Sequence, residues 1–144
     1  MKNSTTQPWI EAGYEIFSKE GPNGLKVEQI ARKVGKSKSS FYHLFADMEI
    51  FTEQLLDYHR ERALNIAEKA SQCKTLVPDM IHVAIENKPD FLFNRQLRVH
   101  RDKPLYQQCS EEAAAVFVQA FAANDNTLVA EGRGVYHVSR KKNE

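Results

Sequence analysis

The stretch Val27-Glu28-Gln29-Ile30-Ala31-Arg32-Lys33-Val34-Gly35-Lys36-Ser37-Lys38-Ser39-Ser40-Phe41-Tyr42-His43-Leu44-Phe45 decides the fold. Its apolar positions Val27, Ile30, Ala31 and Val34 fall at i, i+3, i+4 and i+7, one face of a helix. Gly35 then marks a helix end, where left-handed backbone costs glycine least. Ser37 is placed to cap a second helix through its hydroxyl. In that second helix Phe41, Leu44 and Phe45 are expected to point inward. Lys38, Ser39, Tyr42 and His43 share another face, because 38/42 and 39/43 are i, i+4 pairs. Two short helices joined by a glycine turn, the second showing a cation and hydrogen-bonding groups outward, form the pattern of a helix-turn-helix DNA reader.

Small residues make such a turn possible. Ala31 stands four residues before Gly35, where a bulky side chain would hold the helices apart. Arg32, Lys33, Lys36 and Lys38 lie together, and no acid falls between Glu28 and Asp47. Phosphate affinity needs this arrangement. The same pattern also fits two packed helices carrying a solvated basic face, and the flanking residues bear on the choice.

Trp9-Ile10-Glu11-Ala12-Gly13-Tyr14-Glu15-Ile16-Phe17, then Glu20-Gly21, then Val27 to Phe45, resembles the N-terminal DNA-binding domain of the TetR/AcrR family of bacterial transcriptional regulators. The resemblance spans roughly residues 7 to 56, and Ser37 to Phe45 is its most specific part. It implies an all-helical homodimer, a three-helix DNA-binding domain, a helical effector-binding domain and, in most members, repression. It also implies that Lys38, Tyr42 and His43 touch phosphates or base edges. Three departures stand out. Lys36 replaces the usual aliphatic residue of the turn, and its stem is placed to cover the core edge while the ammonium reaches a phosphate. Met48 replaces a frequent basic residue. Leu25 and Lys26 stand where Thr or Ser often caps a helix.

Composition sets outer bounds. The chain has 144 residues, about one domain by length. Its net charge of +1 hides an asymmetry. Residues 1–45 hold seven Lys and Arg against four Asp and Glu, and the remainder holds thirteen against fifteen. The positive end is the one expected to face nucleic acid. Cys73 and Cys109 lack CxxC spacing and read as small buried or half-buried thiols. The N-terminus leads into no apolar export signal, and Ala113–Ala123 is too short to span a bilayer. These features predict a cytoplasmic protein without a membrane partner.

The whole chain reads as helical. Thr6 and Pro8 suit a first helix with Ile10, Gly13 and Phe17 inward. Asp47 caps a long helix to about Ala70, with Phe51, Leu55, Tyr58, Ile66 and Ala67 as its stripe. Pro78-Asp79 opens a short helix through Ile85, and Lys88-Pro89-Asp90 breaks it. Helices are expected from Phe91 to about His100 and from Leu105 to about Ala123, with Asn124-Asp125-Asn126 as a stop signal. Thr127 to Val138 allows a small hairpin but fits a frayed basic tail better. The expected division is therefore a helix-turn-helix domain over 1–47, an incomplete helical effector and dimerisation region over 48–125, and an irregular basic tail over 126–144. The fold class is all-α: a three-helix DNA-binding domain, a long connecting helix and a partial helical C-terminal domain.

The candidate DNA-binding residues are Lys36, Ser37, Lys38, Ser39, Ser40, Tyr42 and His43. Arg95, Arg98 and Arg101, with His100 nearby, are candidates for an anionic small-molecule effector. The same cluster also reads as a solvated face paired with Glu86, Asp90 or Asp102. The five histidines show no metal-ligand spacing on one helix. No GxSxG elbow or phosphate-binding glycine loop is present, and no acid lies beside Ser39, Ser40 and His43, so the sequence reads as neither an enzyme nor a cofactor carrier. The stripe Leu105, Cys109, Val116, Phe117, Ala120 and Phe121 is the candidate for a homodimer contact, weakened by the short C-terminus. The expectation is a DNA-binding regulator acting on duplex DNA, of repressor type. The alternative is a helical ligand- or protein-binding module that keeps the fold but has lost operator regulation.

Overall fold

Pro8 opens the first helix, α1 (Gln7–Glu20), in the computed structural model of the chain, which describes residues 5–132. Its inner stripe is the expected one, with Ile10, Gly13 and Phe17 all buried. Gly13 lets α1 approach the long helix: a Cβ there would lie 2.6 Å from the Phe51 ring. A short 3-10 turn at Pro22–Gly24 leads to α2 (Val27–Val34), whose start has no side-chain cap, as Leu25 and Lys26 foretell. Gly35 ends α2 in the left-handed region, φ +80° and ψ +32°. The Gly35 N–H donates to the Arg32 carbonyl at 3.2 Å and the Lys36 N–H to the Ala31 carbonyl at 2.9 Å. This is the closing pattern in which a left-handed residue lets the last helical carbonyls find donors. Nothing lies within 4 Å of the position of a Gly35 Cβ. Gly35→Ala is therefore expected to cost about 1 kcal/mol from backbone strain alone, and Gly35→Asn less, in a denaturant melt.

The second helix of the pair, α3 (Lys38–Leu44), starts at Ser37, whose hydroxyl accepts from the Ser40 N–H at 3.3 Å. Asp47 caps α4 (Met48–Ser71) by accepting from the Ile50 N–H at 2.9 Å. At 24 residues this helix is about 36 Å long. A π-type turn at Leu76–Met80 precedes α5 (Ile81–Glu86). α5 ends at Glu86, ahead of Lys88-Pro89-Asp90, and the next helix, α6 (Lys88–Val99), begins before Phe91, with Pro89 in its first turn. Proline suits that position because the first N–H groups have no intrahelical partner. Every regular element among the described residues is helical.

The last helix, α7 (Pro104–Gly132), corrects the reading of the C-terminus. It passes through Asn124-Asp125-Asn126 and takes in residues 127–132, which the sequence suggested were hairpin or irregular tail. Asn and Asp each cost a helix interior only about 0.5–0.7 kcal/mol. Without Gly or Pro among them, three such residues do not stop a helix already some twenty residues long. Residues 133–144, with the rest of the expected hairpin and most of the basic tail, lie outside the described residues.

One core joins the two ends of the molecule. Trp9, Phe41, Phe45 and Phe51 pack among α1, α3 and α4, with ring centroids 4.9–5.7 Å apart. Phe17 and Tyr14 stack on Phe93 of α6, at 4.4 and 4.3 Å. Residues 5–47 thus meet the rest in a continuous core that includes Leu97, Tyr106 and Cys109. Of the expected α4 stripe, Phe51, Leu55, Ile66 and Ala67 are buried and Tyr58 half-buried. A second small cluster, Ala67, Ala70 and Ala120 with Met80, Val116 and Phe117, closes α4 against α7. Much of the stripe read as a subunit contact is used here instead. Cys109 and Ala120 are buried within the chain, and Phe117 stacks on Phe91 at 5.3 Å.

Candidate nucleic-acid interface

The sequence distinguishes two faces of α3, and the structure separates them. Phe41 and Phe45 are buried at 0% and 1% exposure, with Leu44 half-buried beside them. Lys36, Ser37, Lys38, Ser39, Tyr42 and His43 are all exposed, and Ser40 is half-buried. Six of the seven candidate residues are therefore open to solvent. Tyr42 stands 53% exposed with its ring edge-on to Phe41, so the core steadies a side chain directed outward. The Ser37 hydroxyl lies 3.0 Å from that of Ser39 and 3.1 Å from that of Ser40. These hydroxyls have partners already, and contact with a base edge requires them to exchange.

The charge pattern contains one feature the linear sequence hid. Glu28 of α2 reaches across the turn to Lys38, carboxylate to ammonium at 3.0 Å. The pair holds the Glu28 carboxyl below its ordinary range and raises the Lys38 ammonium. Both groups are exposed, so the pair is weak and readily exchanged. Lys33 pairs with Glu15 of α1 at 3.2 Å, and Lys19 shares the same carboxylate at 3.2 Å. Arg32 and Lys36 make no ion pair among the described residues. Lys36 is exposed along with its neighbours in the turn, which suits its ammonium to solvent or phosphate.

This geometry agrees with what the chain is similar to. Residues 10–55 match the family described as "Bacterial regulatory proteins, tetR family". An uncharacterized HTH-type transcriptional regulator of Bacillus subtilis (strain 168), YuxN, is 30% identical over 82 residues. That match takes in 54% of this chain and 28% of the relative's length. The match to that family lies in the N-terminal residues 10–55. A solved structure described as a TetR-family transcriptional regulator from Mesorhizobium loti MAFF303099 shares the fold, with a TM-score of 0.60 at 18% identity. It aligns over 91% of this chain and 72% of its own. The likeness in fold reaches well past residues 10–55, into the helices that follow them.

How residues 10–55 are held against those helices was not legible in the sequence. The Tyr14 hydroxyl of α1 donates to Asp90 of α6 at 2.7 Å and lies 2.7 Å from His59 Nδ1 of α4. Arg62 of α4 grips both Asp90 oxygens, each at 3.0 Å, and also donates to the Asn87 side-chain oxygen at 2.8 Å. His59 Nε2 lies 3.0 Å from the Asn94 side chain. Tyr14, His59, Asn87 and Asp90 are all buried. Burial, then the Asp90 charge, holds the Tyr14 phenol far above its ordinary range. The Tyr14 hydroxyl gives its one proton to Asp90, and its contact with His59 Nδ1 follows the tautomer of the ring. Tyr14 sits on α1's apolar face, so a polar partner 76 residues away leaves no local trace.

Burial lowers the His59 imidazole, though Asn94 and Asp90 oppose this. The folded state therefore favours the neutral ring, and the unfolded chain takes up the proton first. Stability is complete above the ordinary histidine value of about 6.5 and falls as pH drops below it. The limiting slope is about 1.4 kcal/mol per pH unit for one proton. Thermal melts between pH 7.5 and 5 should show this fall, and His59→Gln should flatten it. The lowered carboxyls of Glu15, Glu28 and Glu112 act at still lower pH.

The arginines read as an effector site stand apart from this network. Arg95 and Arg98 are exposed on α6, on a different side from buried Phe93 and Leu97, and Arg101 is exposed just beyond. Arg101 donates to the Arg98 carbonyl at 3.1 Å. Asp90, expected as a partner for this cluster, is buried and bound to Arg62 instead. Cys109 is buried, and burial pushes its thiol up to about 11, while Cys73 is half-buried at the end of α4. No helix among the described residues is long and apolar enough to cross a membrane.

Proposed function

We propose that this chain is a DNA-binding transcriptional regulator of repressor type, whose α3 enters the major groove. The observation that carries the reading is the outer face of α3. Lys38, Ser39, Tyr42 and His43 are presented together on a helix seated by Phe41 and Phe45. In this reading Lys36, Lys38 and Tyr42 hold phosphates, and Ser37 caps the helix that carries them. Ser39, Ser40 and His43 lie nearest the base edges. Occupying a promoter site represses, and an effector on the helices after Asp47 shifts the reader. Two readers about 34 Å apart on the duplex, or a multiple of that, would be supplied by two copies of the chain.

Titration of a labelled duplex at several salt concentrations tests this. Lys38→Ala should weaken binding about equally on all sequences and lower the salt slope by about one unit, since one phosphate neutralisation is lost. Glu28→Gln should act oppositely and strengthen binding at low salt, because the Glu28 carboxylate competes with phosphate for Lys38. His43→Ala should change sequence preference more than overall affinity. Unchanged low-salt affinity in Lys38→Ala would take α3 out of the groove.

A further inference from the structure

The arginines of α6 form a charged face that the DNA-reading function leaves unused. Arg95 and Arg98 are exposed, with Val99 exposed beside them. By helical spacing these three lie roughly 140–240° round α6 from buried Phe93. Neither arginine forms an ion pair among the described residues. Asp90, the acid on their own helix, is bound to Arg62. Asp102 stands exposed just beyond the helix.

The long helix α4 carries the opposite sign. Glu49, Glu53, Asp57 and Glu61 recur every four residues, and all are exposed. Glu53, Asp57 and Glu61 lie roughly 120–200° round α4 from buried His59. Arg60 binds Asp57 at 3.0 Å but is shared with Glu112. Lys103 lines a cleft with Glu49 and Glu53, and its ammonium stands 5.3 Å from the centre of the Tyr106 ring. An excess of carboxylate remains along the stripe. Exposed Ile50 and Leu64 flank it. The two helices touch through their inner residues, where His59 packs on Phe93 with centroids 4.6 Å apart and Arg62 binds Asp90. Their outer faces therefore point away from each other. One copy of the chain cannot bring the acidic face onto the basic one, but two copies can.

We infer that the basic face of α6 docks on the acidic face of α4 of a second copy. The contact is head to tail, so each copy keeps one face of either sign open and a row can grow. The spacings suit it. Arg95 and Arg98 are about 4.5 Å apart along their helix, and successive carboxylates of α4 about 6 Å apart. Guanidinium forks reach neighbouring carboxylates over such steps, and Val99 meets the exposed aliphatic residues at the edge. One helix face on another buries less than the roughly 1,200–2,000 Å² of a stable interface. Exposed ion pairs also contribute little each. The contact is therefore weak in free solution. Copies lying side by side on one duplex raise its effective concentration, and they load cooperatively. That consequence rests on the DNA-reading function proposed above, and the contact itself does not.

Sedimentation velocity of the whole chain tests the contact. The sedimentation coefficient should rise with protein concentration at low salt, and this rise should shrink at high salt. Two double variants reverse one face each, Arg95→Glu with Arg98→Glu and Glu53→Arg with Asp57→Arg. Each alone should associate at least tenfold more weakly than the native chain, because like charges then meet. Mixed in equal amounts, the two variants should associate again, since the reversed faces are complementary. That recovery also shows that both variants fold. A native chain that does not associate at low salt, variants that associate as well as the native chain, or a mixture that behaves as the sum of its parts overturns the contact. In a second arm, the native chain and the mixture should load a duplex long enough for several copies more steeply than either variant alone. Equal steepness overturns the cooperative role. A chain that associates but binds no duplex refutes the DNA-reading function and leaves the contact standing.

Discussion

Phe41→Ala is expected to lower the unfolding free energy by about 3–5 kcal/mol, the range for truncating a buried aromatic. Phe41 is wholly buried. Trp9, Tyr42, Phe45 and Phe51 surround it, with ring centroids 5.0–5.7 Å away. These rings come from α1, α3, α4 and the residue that ends α3, so no single neighbour can move in to fill the space. The cavity falls beneath the solvent face of α3, and the loss should appear in duplex affinity as well as in a urea melt. Ser39→Ala, on the exposed face, should cost well under 1 kcal/mol. Equal destabilisation by both substitutions would mean that α3 is seated the other way round.

The second large effect belongs to Asp90. Asp90→Asn should cost about 3 kcal/mol, because it breaks a buried pair and leaves the Arg62 guanidinium without its counter-charge. The value lies at the low end of that class because the Arg62 side chain keeps 29% of its exposure, so water takes up part of the loss. Tyr14→Phe removes the hydroxyl's contacts with the same carboxylate and with His59 and should cost about 1.5–3 kcal/mol. Because the three residues share one network, the double variant should cost less than the two single losses added together. Additive losses in a urea-melt cycle would show that Tyr14 and Asp90 act independently.

The contrast between these two sites shows what can be read from the chain. Around Phe41 every step is local. Helical spacing, a glycine that alone takes φ +80° without strain, and a serine one residue before a helix all act within a few residues. The faces of α2 and α3, the caps at Ser37 and Asp47, and the exposed candidate residues follow from such signals. The Glu28–Lys38 pair lies only ten residues apart in the chain but crosses the turn. It needed the angle between two helices, which spacing along one helix does not contain. The C-terminal stop at Asn124-Asp125-Asn126 misled for a related reason. Local preference against helix is small, and a long helix packed on α4 overrides it.

What the sequence by itself determined is the N-terminal helical unit: three helices, a tight turn and an exposed basic, hydrogen-bonding face, all set by periodicity and capping within about fifty residues. What only the tertiary structure decided is the seam. Tyr14, His59, Arg62 and Asp90 are ordinary helical residues when read singly, spread over 76 positions. Their meaning comes from three helices converging, where burial forces each polar group to find a partner and makes that partner decisive. Composition and pattern specify which residues turn inward. They do not specify which inward residues from distant helices meet, because that depends on how the helices cross.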